Sequence, residues 1–427
     1  MACDTTEIFS FNKEKKNKKF ADVNMWRKDA SQIYENGVKM KKYGILTLVL
    51  QNYGTRLQSY ALCRVLKQIL GDNVSVEVVD LDTEWSHRAL GIKNIAYRSF
   101  RAYGIRFVGY MYNIFRWVME RRKIKKEDHS GDLEKRDLAF FNFNSKIPYA
   151  KQKLTFDDIR KGALNDYDEI IVGSDQVWNG IKVGHQDVYM LDYFKKKGLS
   201  YAASFGMTSI PPKMFEDYKR RLNNFSTLLI REKEGLELCC RLGRKDAEFV
   251  LDPTLLLPSN EYEQFLGEKN IVDGDYILVY SLNFSYKIYN QAYKFAKRNN
   301  CKMIVLKRYF CPPSIKKYPG AEEFYAVSPE GFLGLIKKAK CVITNSYHAM
   351  LFSINFNKDF YLYLDNSDEE NSRMLTLISL CNLQDRVFWE KGNLPQMITK
   401  IDYLETNEVL NREREKSLSL LKQSLNI

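Results

Sequence analysis

From Tyr43 onward the chain repeats one rhythm: a short apolar run, a knot of small or polar residues, then an amphipathic stretch of helical period. "YGILTLV" precedes "NYGTRLQSYALCRVLKQIL", and "VSVEVVDL" follows it. Alternation of this kind constrains the fold more than any other feature. Apolar runs too continuous for a half-exposed strand, separated by helices, predict parallel strands buried on both faces and joined by βαβ crossovers.

The rhythm runs twice. Further strands are expected at "YDEIIVGSDQVW", "LSYAASFG", "FSTLLIREKEGLELCCRLG" (strand, turn, helix) and "AEFVLDPTLLL", the last broken at Pro253. After the polar stretch "EYEQFLGEKNIVDGD" it restarts: strand "YILVYSL", helix "IYNQAYKFAKRNN", strand "CKMIVLKR", helix "PEGFLGLIKKAK", strand "CVITNS" and helix "HAMLFSI". A chain of 427 residues is too long for one compact core. Two α/β domains facing across a cleft are therefore expected, spanning 40–267 and 273–395. Residues 396–427 read as a charged helical tail. Residues 1–39, polar and lysine-rich, read as a loosely ordered extension or as an upstream misplacement of the start codon.

A basic helical insertion is expected near 88–135. Arg88 to Lys126 carries eleven Lys or Arg against the single acid Glu120, interleaved with aromatic residues. It reads as an amphipathic hairpin with a solvated basic face, or as a surface for anionic membrane. The net charge of +13 suits acidic ligands. Nucleic acid is not expected as a partner, since no helix-turn-helix, zinc-finger or RNP-type pattern accompanies the charge. The eight cysteines form no CxxC pair and the four histidines no ligand cluster, so neither a disulfide framework nor a metal site is expected. No secretory-signal pattern and no apolar run of spanning length appears, which suits a cytoplasmic protein.

In open parallel sheets, ligands collect beyond the carboxyl ends of the strands. Five stretches fit. Asn52, Tyr53 and Gly54 lead the first strand into a helix, where exposed N–H groups favour an anion or sugar hydroxyl; an ordinary βα turn is the alternative. Ser174 and Asp175 follow a strand and suit a polar ligand, with Asp175 orienting a hydroxyl, acting as a base, or capping a helix. Arg231 can fork onto a carboxylate or phosphate, or pair with a neighbouring glutamate. Asp252, fixed before Pro253, reads as a structural turn. His348 lies two residues past Ser346 at a strand–helix junction, where an imidazole can donate a proton or bind phosphate. Asn345 or Ser346 alternatively serves only as the helix N-cap.

These stretches in this order, together with "NSRMLTLI", resemble the polysaccharide pyruvyl transferase family from about Lys41 to about Arg386. The resemblance implies a GT-B-like pair of Rossmann-like domains and transfer of pyruvate from phosphoenolpyruvate, as co-substrate without a further cofactor, to a glycan or lipid-linked sugar as a ketal. On that model His348 is the general acid or phosphate contact, and Arg231 holds the small anionic donor beside Asn345 and Ser346. Asn52, Tyr53, Gly54, Ser174 and Asp175 line the acceptor side, and Asn371 and Arg373 help close the cleft. Established pyruvyl transferases of the family carry an arginine where this chain has Ser346. Lys307 or Arg308 is the candidate to supply the compensating cation; otherwise the donor differs, as in a GT-B glycosyltransferase using a nucleotide sugar.

Overall fold

The computed structural model describes residues 34–35, 38–82, 130–266, 271–282, 286–307, 315–364, 368–389 and 392–427. Most of the expected extension 1–39 and of the basic insertion, and Arg308, lie outside the described residues. The chain forms two units, Met1–Lys41 and Lys42–Ile427. In the first, Tyr34–Glu35 and Val38–Lys39 pair antiparallel as a small hairpin.

The second unit carries two six-stranded sheets. The first contains β1 (Lys41–Leu46), β2 (Val74–Val78), β3 (Glu169–Val172), β4 (Gly198–Ala203), β5 (Phe225–Ile230) and β6 (Glu248–Phe249), in the order 2-1-3-4-5-6. The second contains β7 (Tyr276–Tyr280), β8 (Lys302–Leu306), β9 (Glu322–Phe324), β10 (Cys341–Thr344), β11 (Phe360–Leu364) and β12 (Val387–Trp389), in the order 9-8-7-10-11-12. Ladders are parallel, with Ile45 opposite Ile171 in the first sheet and Leu278 opposite both Ile304 and Val342 in the second. Both orders are those of doubly wound, Rossmann-like sheets. The protein is an α/β chain of GT-B-like architecture. Strands β9, β11 and β12 are additions to the sequence reading, and "AEFVLDPTLLL" yields only the two-residue β6.

Strand alternation explains the layering. Ile45, Ile171 and Leu229 face one core, while Leu46, Ile170, Val172, Leu228 and Ile230 face another. In the second sheet Leu278, Ile304, Val342 and Leu362 join the same core as Ile45, and Ile277, Val305, Ile343 and Tyr361 form a third. The central core is thus shared by both sheets. Between them lie α1 (Tyr53–Leu70), α2 (Ser130–Asn144), α6 (Pro329–Lys338) and α7 (Tyr347–Asn355). Also used below are α3 (Lys233–Arg241), α4 (Pro253–Leu256), α5 (Tyr286–Arg298) and α8 (Asp368–Leu380). The tail forms α9 (Tyr403–Ser424), which returns to the first sheet's side. There Ser417 Oγ accepts from Leu251 N at 3.0 Å and Arg414 Nε donates to Leu255 O at 2.8 Å.

Tyr53 shows how the halves are joined. Its ring, 1% exposed, stacks on Phe332 of α6 at 4.5 Å and lies beside Phe140 of α2. Its hydroxyl donates to Val327 O at 3.0 Å. Tyr53 is a packing residue between the sheets, not part of an acceptor wall as expected from sequence. Tyr53→Ala is expected to cost roughly 3–5 kcal/mol and Tyr53→Phe about 1 kcal/mol, measured as a shift in the urea midpoint.

Candidate functional site

The chain reverses direction between β1 and β3 in the first sheet and between β7 and β10 in the second. Crevices outside the carboxyl ends at such points are where open α/β sheets bind ligands. The loop after β3 supplies Ser174 and Asp175, the end of β5 supplies Arg231, and the turn after β6 supplies Asp252. From the second sheet, the β10–α7 junction supplies Tyr347 and His348, and α8 supplies Arg373.

Local sequence fixes each. Asp175 sits at φ 79°, a left-handed conformation that Asp tolerates better than most residues. Its carbonyl accepts from Val177 N and Ser204 N, and its Oδ1 from Gln176 N at 2.8 Å. Asp252 caps α4, where Pro253 takes the first helical position and Oδ1 accepts from Thr254 N and Oγ1. Ser346 caps α7 by accepting from Ala349 N, which turns the next two side chains toward the first sheet's loops.

Asp252 is the hub. Its Oδ2 accepts from Ser174 Oγ at 2.7 Å and from Arg231 Nη1 at 2.7 Å. Arg231 Nη1 also reaches Ser174 Oγ at 2.8 Å, and Nη2 reaches Asp175 Oδ1 at 3.4 Å. From the other wall His348 Nε2 stands 3.9 Å from the same Asp252 Oδ2. The Tyr347 ring lies 4.7 Å from the Arg231 guanidinium and 5.3 Å from that of Arg373, so two cations share one aromatic ring. Arg373 Nε and Nη1, Arg231 Nε and His348 Nε2 are buried nitrogens with no hydrogen-bond partner among the described residues. Native structures seldom leave such donors unpaired, and a cluster of them marks a place where a ligand or water belongs.

Gly54 closes the fourth side. A Cβ on Gly54 would lie 2.1 Å from His348 Nδ1, so any other residue there must push the imidazole away. Glycine is required at this position for close approach, not for an unusual turn.

Ionisation follows from the geometry. Burial works against the charged forms of Asp175 and Asp252. The cations beside them outweigh it and hold both carboxyls below the usual range: chiefly Arg231 for Asp175, and His348 with Arg231 for Asp252. Burial lowers the His348 pKa; Asp252 and Asp175 oppose that shift, while Arg231 and Arg373 add to it. Burial thus favours the neutral form of the imidazole in the free protein. Burial and then the charge of Arg231 also lower the pKa of Arg373. Two cations face two carboxylates here, and Arg231 is largely committed to them. The open donors belong to Arg373 and His348, an arrangement suited to a small anion.

Other expected residues fall elsewhere. Asn52 caps α1 through Thr55 N at 3.2 Å, and Asn345 Oδ1 accepts from Leu282 N at 2.7 Å, tying β10 to β7. Lys307, buried at the end of β8, pairs with Glu323 at 3.2 Å. The cation that stands with Arg231 is Arg373, not Lys307. The sequence reading missed Tyr347 altogether and the role of Asp252, which it took for a turn residue. For Asp252 the position after a strand was the available signal, and Pro253 masked it. A cavity of about 360 Å³ lies instead at the amino end of the second sheet, against Asp275, Tyr293 and Lys302. The unpaired donors are not there, so chemistry rather than volume locates the site.

Among solved structures, UDP-GlcNAc 2-epimerase from Methanocaldococcus jannaschii is similar at 13% identity and TM-score 0.48, over 89% of this chain and 93% of that one. The Neisseria meningitidis enzyme of the same name, bound to UDP-GlcNAc, matches at 8% and 0.46, over 90% and 99%. The glycosyltransferase SnogD from Streptomyces nogalater matches at 10% and 0.38, over 91% and 98%. No curated protein matches. Among the described residues no helix is long and apolar enough to cross a membrane. The model of the polysaccharide pyruvyl transferase family matches residues 52–368, a span that holds every member of the Asp252 cluster except Arg373; the chain belongs to this family of transferases.

Proposed function

We propose that the protein transfers pyruvate from phosphoenolpyruvate to a pair of hydroxyls on a glycan, free or lipid-linked, in the synthesis of a capsule, exopolysaccharide or cell-wall polymer. The reading rests on family membership and on one observation: the unpaired nitrogens of Arg373 and His348 beside Asp252. Arg373 takes the donor's phosphate or carboxylate, and the remaining Nε of Arg231 assists. Arrival of that charge favours the imidazolium of His348, whose Nε2 also faces Asp252 at 3.9 Å. His348 then protonates the methylene carbon, leaving an oxocarbenium-like centre at C2. One acceptor hydroxyl adds there, and its proton passes to Asp175 as attack acidifies it. Inorganic phosphate leaves from C2, and the second hydroxyl closes the ketal, its proton going to the departing phosphate. Preorganised charges supply most of the rate, and the acid adds about 10²–10⁴-fold.

Phosphate release from phosphoenolpyruvate with glycan acceptors is the direct assay. Arg373→Ala and His348→Ala are each expected to lower kcat/KM about 10²–10⁴-fold. Arg231→Ala is expected to lose about 3–5 kcal/mol of stability as well, because Asp252 is left buried and unpaired. Stabilisation by UDP-sugars and not by phosphoenolpyruvate in a thermal shift assay would overturn the donor assignment; saturation at 100 Kd adds about 2.7 kcal/mol.

A proton-linkage test follows from the neutral imidazole. Because the His348 pKa is lowered in the free protein and an anion raises it, donor binding takes up a proton near pH 7, and affinity rises as pH falls from 8 to 6. Calorimetry in buffers of different ionisation enthalpy measures this uptake. His348→Gln is expected to remove the protein's share and leave only that of the donor's own phosphate.

Gly54→Ala is expected to match His348→Ala in activity. In the double variant, removal of the imidazole relieves the clash, so the combined stability loss falls short of the sum of the singles.

A further inference from the structure

We propose that Glu234 is a positioning residue that latches α8 to α3 and so delivers Arg373 to the anion site. This rests on the reading of Arg373 and His348 as anion ligands, given above. Glu234 stands in the first turn of α3, three residues past Arg231. Its Oε2 accepts hydrogen bonds from Ser372 Oγ and, at 3.4 Å, from Thr376 Oγ1. Thr376 Oγ1 in turn accepts from Lys233 N at 3.4 Å. Ser372 and Thr376 flank Arg373 on α8, so all three contacts hold the helix segment that carries the open guanidinium.

The need for a latch is electrostatic. Arg231 and Arg373 both lie over the Tyr347 ring, and the charge of Arg231 disfavours that of Arg373. With no anion present, repulsion drives α8 away from β5. Glu234 opposes it from the chain segment that continues directly out of Arg231, so the spacing of the two cations is set by one short stretch. Its own footing is firm. Glu232, two residues before, accepts from Ser204 Oγ, Phe205 N and Gly206 N, which ties the start of α3 to the loop after β4. Gly235 leaves room for this, since a Cβ there would meet Glu232 Cγ at 2.9 Å.

The test measures inorganic phosphate and phosphoenolpyruvate binding by calorimetry for the full chain and for Glu234→Ala, Glu234→Gln, Thr376→Val and Arg373→Ala. Glu234→Ala and Thr376→Val are expected to weaken phosphate binding about tenfold or more, approaching Arg373→Ala. Glu234→Gln, which still accepts from both hydroxyls, is expected to restore most of it. Where turnover is measured, the loss is expected in KM for the donor, with kcat changed less. Unchanged phosphate affinity in both Glu234→Ala and Thr376→Val, with melting temperature alone lowered, would overturn the latch. Phosphate bound by the wild type without phosphoenolpyruvate would overturn the donor assignment and leave the latch standing. Binding of neither ligand by the wild type would overturn both.

Discussion

The site depends on one buried ion pair. Arg231, with a fully buried side chain, and Asp252, equally enclosed, meet at 2.7 Å, and neither tolerates its position without the other. Moving a charge of this size out of water costs several kcal/mol even after relaxation, and the pair recovers that only with good geometry and saturated hydrogen bonding. Asp252 reaches saturation with Ser174, Arg231 and both donors of Thr254. Arg231 does not, since its Nε is left over. The first wall is thus rigid before any ligand arrives, and its residual capacity points at the crevice.

The second wall is built on the opposite principle. His348 and Arg373 arrive on helices α7 and α8 with donors that have no acceptor among the described residues, and Tyr347 adds its ring beside Arg373. A guanidinium held near a second guanidinium and a neutral imidazole held near two carboxylates are both poised for added negative charge. The charged Arg373 gains an acceptor, and the imidazole gains a reason to protonate. On the proposed function one anion satisfies both, with His348 already in place and only Arg373 adjusting.

Much of this was legible in the sequence. The alternation of apolar runs and amphipathic helices places nine of the twelve sheet strands, and the position of His348 after an apolar strand places it at a crevice. Three other strands were not legible for local reasons. β9 and β12 are three-residue edge strands. β11, "FYLYL", is five residues long and apolar throughout, so periodicity alone does not separate it from a buried helix segment. For the site, residue type at a strand end identified Ser174, Asp175 and Arg231 but could not separate Asp252 from an ordinary Asp–Pro turn, because it caps a helix and anchors a cation at once. Tyr53 shows the converse. Its position at a strand–helix junction is that of a ligand residue, yet its ring turns to Phe332. Which way a junction side chain points is decided by the partner across the fold, about 280 residues away in the chain, and no local pattern encodes it.

That long-range partner also limits how the crevice works. Both sheets contribute to one apolar core, with the Tyr53–Phe332 stack and the Gly54–His348 approach lying close to the reacting groups. Swinging the halves apart far enough to separate His348 from Asp252 would expose Tyr53 and Phe332 to water, each worth roughly 1.5–3 kcal/mol when fully buried. Small adjustments of α8, whose polar contacts to α3 are made by side-chain hydroxyls, cost far less. On the proposed function the crevice therefore tightens through Arg373 and not by closing two lobes, and the acceptor enters along the carboxyl edge of the strands toward His348 as the proposed acid.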